Sequence, residues 1–306
     1  MGTSRWSPED WTSYSKTTSN KTREEIFTSR GIKKELDPKF ISVRESRDSV
    51  LNPNSNAIIV ALDVTGSMGV NADQLARKGL GVMVEEILKR KPVSDPHIMC
   101  MGVGDAYFDS APLQVTQFEA DITIAKDLEN IWLEKGGGGN CFESYNLPWY
   151  FAAMNTSIDC YEKRGRKGYL FTLGDEEAPK DLLASQIRNI LGNQENSDYT
   201  SEQLLNMASK MYHVYHIIVE QGNHARHYMD AVVNSWTELL GQRVLRLSNN
   251  DHLAEVIVSA IEINEGKNAK EVINSWSADK AISVSHAVNQ LIPYDDGTKG
   301  TGVIKF

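Results

Sequence analysis

The chain has 306 residues, of which 41% are hydrophobic and 24% charged, with a formal net charge of −9. That apolar content suits one large globular domain with extensions or two small ones, and it excludes a disordered chain. The acidic balance argues against general binding of nucleic acid or anionic membranes, and no apolar run approaches the roughly eighteen residues of a membrane-spanning helix.

Residues 1–55 read as a polar N-terminal arm. Ser7-Pro8-Glu9-Asp10 can open a short helix, with Ser7 as its N-cap. Trp6, Trp11, Tyr14, Ile26, Phe27, Phe40 and Ile41 are too many large apolar side chains for a solvated tail. The arm is therefore expected to wrap the body of the protein and bury Trp6, Trp11 and Phe40. The turn signal Asn52-Pro53-Asn54 then precedes a continuous apolar run, 57–62, that ends on Asp63. A short run rich in β-branched residues reads as a strand buried on both faces. Beyond it, Leu75, Leu80, Met83, Val84, Ile87 and Leu88 fall at helical spacing within 71–91. Asp63, Thr65 and Ser67 thus lie in a strand-to-helix loop at the carboxyl end of a strand, where open α/β sheets place their ligands. One carboxylate and two hydroxyls, with no thiol or imidazole, form a hard oxygen set that suits Mg²⁺ or Mn²⁺ better than zinc.

Residues 97–104 read as a second buried strand, followed by a loop with Asp105, Tyr107 and Asp109 and by an alternating edge strand at 113–118. This loop reads first as solvated and second as a determinant of partner choice. A helix is expected over 121–134. Four consecutive glycines follow, from Gly136 through Gly138 to Gly139, and lead into Asn140, Cys141, Phe142 and Glu143. Such a backbone can take positive φ and approach a ligand closely. A long helix is expected over 143–162, then a core strand over 168–174 that ends on Asp175-Glu176-Glu177. Helices over 179–191 and 201–212, a strand over 214–219, a helix over 229–240, a strand over 243–247 and a helix over 250–263 complete the alternation. One more helix is expected over 267–281, before a turn-rich tail from Pro293. The whole divides into the arm, an α/β domain over 56–265 and a C-terminal helix and tail over 266–306. Alternating strands and helices imply βαβ units, a doubly wound and mostly parallel sheet flanked by helices.

Three loops stand out: Asp63-Val-Thr65-Gly-Ser67, the glycine-rich loop to Glu143, and Asp175-Glu176. Facing one end of the sheet they form a single cleft, whose neighbouring carboxylates need a counter-charge that a divalent cation supplies. His213, His216, His224 and His227 cluster in sequence, but a third ligand for zinc is lacking. The basic run 163–167 sits at a helix end, where it suits the dipole. The cysteines Cys100, Cys141 and Cys160 are odd in number and lack metal-ligand spacing. Reduced thiols are expected, and with no apolar signal at the N-terminus a cytoplasmic protein.

In this order, strand–DxTGS–helix, a GGGG loop and strand–GDE, the residues 56–265 resemble a von Willebrand factor type A (vWA) domain of the intracellular bacterial or phage type. The resemblance implies a Rossmann-like sheet with a metal-ion-dependent adhesion site at its top. Asp63, Thr65 and Ser67 match the family's DxSxS motif, with threonine at the middle hydroxyl, and Asp175 matches its late aspartate. The family's middle motif supplies a threonine from a glycine-rich loop; this chain has none, and Asn140 or a water takes that place. Gly138, Gly139, Glu143, Asp105 and Tyr107 would then face the partner. The implied function is not enzymatic. The ion captures an Asp or Glu carboxylate of a partner protein, and the chain acts as an adaptor beside an AAA+ ATPase or within an assembly. The alternative is a Mg²⁺-dependent aspartyl-phosphate phosphatase or phosphotransferase, with Asp63 as nucleophile and Asp175 on the metal. That reading lacks a lysine at the expected place and leaves the glycines without a role.

Overall fold

The run that ends on Asp63 folds as strand β1, Asn56–Asp63, buried along its whole length. The computed structural model in which it is seen describes residues 4–134 and 143–293. Five more strands join β1 in chain order: β2 (Pro96–Val103), β3 (Leu113–Val115), β4 (Gly168–Gly174), β5 (Tyr212–Val219) and β6 (Val244–Leu247). Their spatial order is β6-β5-β4-β1-β2-β3. All neighbours are parallel except β3, which runs antiparallel to β2. The sheet is therefore mixed, and the fold departs from a fully parallel doubly wound sheet. The cause is local: residues 104–112 are too short a connection for a crossover helix, so the chain can only turn back. The exposed edge is covered by the arm, where the Leu36 carbonyl accepts a hydrogen bond from the Val115 amide at 2.8 Å.

The pleat sorts β1 between two apolar layers. Ile58, Val60 and Leu62 enter one, with Leu80, Met83 and Ile87 of helix Leu80–Arg90 and Val256, Ile257 and Ala260 of helix Leu253–Asn264. Ala57, Ile59 and Ala61 enter the other, with Trp149 and Phe151 of helix Leu147–Met154 and Trp236 of helix Asn223–Leu240. Helices thus flank the central sheet on both faces, and the two small alanines share their layer with its bulkiest rings. No described helix is long and apolar enough to cross a membrane.

Several expected elements are cut differently. The helix after β1 comes in three parts, Gly69–Gln74, a π-helical segment Leu75–Gly79, and Leu80–Arg90. The expected helix over 143–162 breaks after Leu147–Met154. Thr156–Ile158 there pairs in parallel with Arg44–Ser46 of the arm, and a short helix Asp159–Glu162 follows. A strand offered by a distant segment is a competitor that helical periodicity cannot show. The region 267–281 forms two helices, Ala269–Asn274 and Ala278–Val288. Between them Trp276 turns inward, donating to Ser259 Oγ at 2.8 Å beneath the Arg90 guanidinium. The tail beyond Pro293 lies outside the described residues.

Trp6 is buried, and its indole donates to the Pro96 carbonyl at 3.0 Å. Trp11 stacks on it and is partly buried. Phe40, expected inside, is 61% exposed, with the Lys34 ammonium 5.0 Å from its ring. Trp6→Ala should therefore lower unfolding stability by about 3 kcal/mol, and Phe40→Ala by less than about 0.5 kcal/mol, in urea titrations. Equal costs would contradict this anchoring of the arm.

Candidate functional site

Three strand ends lie side by side at the centre of the sheet, and each delivers an acid. β1 ends on Asp63, β2 is followed by Gly104 and Asp105, and β4 by Asp175 and Glu176. The strands that follow β1 build outward first on one side and, from β4, on the other. Asp63 thus stands at the switch in strand order, where such sheets leave a crevice.

Asp63 is 1% exposed. Its Oδ1 accepts from the Thr65 amide at 2.9 Å and the Thr65 hydroxyl at 2.7 Å, and its Oδ2 from the Tyr145 hydroxyl at 3.0 Å. The same Thr65 hydroxyl lies 3.3 Å from Glu143 Oε1. Asp175 Oδ2 accepts from the His224 amide at 2.7 Å. Two glycines permit these approaches. A methyl group at Gly174 would collide with the Tyr145 hydroxyl, and one at Gly222 with the Asp175 side chain. Asp105 is buried, not part of a solvated loop. Its Oδ1 accepts from the Tyr107 amide at 2.9 Å and its Oδ2 has no hydrogen-bond partner. Asp109, half-buried, accepts from the Asp105 amide at 2.7 Å.

The cleft is short of positive charge. No lysine or arginine among the described residues is ion-paired to Asp63, Asp105, Glu143, Asp175 or Glu176. One carboxylate oxygen on each of Asp105, Glu143 and Glu176 is buried and unpartnered. Burial pushes the Asp63 carboxyl up, against the pull of its Thr65 hydrogen bonds, and Asp175 adds to the rise. Burial and then the Asp63 charge do the same to Glu143. Glu176 is lifted to about 8 by burial and by Asp63 and Asp175. Among the described residues, no three His, Cys, Asp or Glu side chains are grouped so as to hold a metal ion by themselves. A cation here would need hydroxyls as well; the Thr65 hydroxyl, with Glu143 Oε1 3.3 Å away, and the unpartnered Oε2 of the same carboxyl are oxygen donors of the right chemistry.

Of the residues expected at the site, the structure brings Asp63, Thr65, Glu143 and Asp175 into one buried cluster, with Asp105 near them. The Tyr107 side chain instead points to solvent, beside Phe108. The side chain of Ser67, and Gly138, Gly139 and Asn140, lie outside the described residues. The histidines do not assemble: His216 is buried and stacked on Trp236, and His227 Nδ1 bonds its own helix at Asn223. Tyr145, Gly222 and His224 were not expected here. Gly222 and His224 could have been found by applying the strand-end rule to β5; Tyr145 carries no such signal.

No protein-family model matches the chain, and no curated protein does. Solved structures similar to it include the pilus adhesin SpaC from Lactobacillus rhamnosus GG in its open conformation, at 12% identity and a TM-score of 0.42, over 76% of this chain and 31% of that one. A von Willebrand factor type A protein from Catenulispora acidiphila aligns at 13% identity and a TM-score of 0.36, over 76% of this chain and 49% of that one. The resemblance to these proteins is thus distant and partial, and this chain spans about a third to a half of their lengths.

The raised acids set a pH dependence. Above about pH 4 an unfolded Glu loses its proton, while Glu176 in the folded protein keeps its own until about 8. The folded state binds more protons in that window, so stability should fall as pH rises from about 4 to about 8. Melting temperatures measured in EDTA should decline over this interval, and Glu176→Gln should flatten the decline. A wild-type melting temperature that rises throughout would contradict the charge balance described.

Proposed function

We propose that this chain is a divalent-cation-dependent protein-binding module. Mg²⁺ or Mn²⁺ would be held by Asp63, Thr65, Ser67 and Asp175, with Asn140 or water at the middle position. The observation that carries the reading is the cluster of buried carboxyl groups without a cationic partner at the switch point of the sheet. Hard oxygens with unspent lone pairs and no cationic side chain are donors for a hard cation, which displaces their protons on binding. When bound, the ion would supply a positive centre with a coordination position open to an oxygen donor.

The chain's own residues do the rest. Asp63 orients the Thr65 hydroxyl, Tyr145 holds Asp63, and the His224 amide holds Asp175. The exposed Tyr107 stands on the loop that leaves β2, where a docking protein would meet it. The motif order shared with vWA domains extends the reading to an adaptor role in the cytoplasm, the partner presenting an Asp or Glu, as an AAA+ ATPase or an assembly component would. The aspartyl-phosphate reading has less support. A nucleophile must meet its phosphate, whereas both Asp63 oxygens already accept hydrogen bonds within a buried setting.

Isothermal titration of Mg²⁺ and Mn²⁺ into EDTA-stripped protein should show binding that Asp63→Ala abolishes and Asp175→Ala weakens at least about ten-fold, or about 1.4 kcal/mol. Binding should release protons and tighten with pH, because the acids must ionise to ligate. No heat with either ion would refute the reading, and aryl-phosphate turnover lost in Asp63→Asn would establish the enzyme instead.

A further inference from the structure

Glu143 is the acid of this cleft whose placement is hardest to explain without a cation. It is 4% exposed, its Oε1 stands 3.3 Å from the Thr65 hydroxyl, and its Oε2 is buried with no hydrogen-bond partner. The segment that follows it, 144–146, is tied down. The Ser144 amide donates to the Gly104 carbonyl at 3.2 Å, and Ser144 Oγ accepts from the Ala106 amide at 2.9 Å. Tyr145 reaches across to Asp63, and Asn146 donates to the Asp181 carbonyl at 2.9 Å and to Ser201 Oγ at 3.0 Å. The strand end after β2 and the side chain at the end of β1 therefore both fix the segment that carries Glu143. A carboxyl so held faces a second carboxyl across one hydroxyl, with an oxygen unspent.

We propose that Glu143 is an internal ligand of the cation, its carboxylate taking the position beside Thr65 that would otherwise receive a partner's acid. This rests on the cation reading of Asp63 and Thr65. The ion is then closed off from within the chain, and a partner carboxylate gains access only by displacing Glu143. Asp105 and Glu176, also without a cationic partner, offer an incoming acid no positive side chain to pair with. Glu143 is in this sense a built-in competitor that sets the threshold for partner capture.

The test uses the full chain, stripped with EDTA and reloaded with Mn²⁺, as wild type, Glu143→Ala, Glu143→Gln and Asp63→Ala. Affinity is read by isothermal titration and inner-sphere water by the relaxation of water protons. Wild type should bind Mn²⁺ with an inner-sphere water signal that millimolar acetate leaves unchanged. Both Glu143 variants should bind about ten-fold or more weakly, show more exchangeable water, and lose that extra signal to acetate. Glu143→Gln keeps the side-chain volume, and far-UV circular dichroism with a thermal melt checks that both variants are folded. Asp63-dependent binding with unchanged water and acetate response in both variants overturns the internal ligand alone. Acetate displacing water from wild type overturns it too, without recourse to any variant. No Mn²⁺ binding by wild type, or binding indifferent to Asp63→Ala, overturns the underlying cation reading and this proposal with it.

Discussion

The structure of the site depends on one constraint, the burial of the Asp63 carboxylate at the end of the central strand. An acid 1% exposed needs donors or a cation. Thr65 supplies two donors from its own loop and Tyr145 a third from a distant segment. The neighbourhood is arranged to deliver that third bond. Gly174 makes room for the Tyr145 hydroxyl, and the Tyr145 ring packs 5.7 Å from Trp236. The Trp236 indole in turn donates to the Glu176 carbonyl at 2.9 Å. A floor of packed rings thus holds the acidic loops from below, in the low dielectric where both an unpaired charge and a well-paired one count most.

This arrangement opposes folding locally and is sustained by the two apolar layers. Asp63, Glu143 and Glu176 are each driven toward their neutral forms by burial and by neighbouring carboxylates, Asp175 acting on Asp63 and Asp63 on the other two. Elsewhere in the molecule buried acids are paired instead. Asp159 takes Arg47 and Lys163, and Glu262 takes Arg90 and Lys267. The basic run at 163–167 is used the same way, with Arg164 on Asp48 and Arg166 on Glu265. The chain neutralises these structural acids, yet leaves those at the strand ends without a cationic partner among the described residues.

The apolar runs at 57–62, 97–104, 168–174 and 214–219 were legible as strands because burial on both faces demands an unbroken hydrophobic stretch. Asp63 and Asp175 were legible as strand-end acids for a related reason: an acid directly after such a run must sit at the mouth of the sheet. Helix limits were less so. At Asn155 the periodicity continues while the structure breaks, because Arg44–Ser46 offers a competing strand. Phe40 reads like a core residue but is left outside, its ring beneath the Lys34 ammonium. The direction of β3 could have been inferred from the brevity of 104–112.

The amino-acid sequence by itself determined the α/β alternation, the central place of the strand before Asp63 and the oxygen-rich chemistry of its loop, all properties of contiguous residues under local geometric rules. Only the tertiary structure decided that Tyr145 holds Asp63, that Glu143 turns inward against Thr65, that the His224 amide secures Asp175 across Gly222, and that Asp105 is buried. These contacts join segments separated by up to about eighty residues. Which partner each polar group finds is settled when the layers close and water leaves, and no spacing along the chain encodes it.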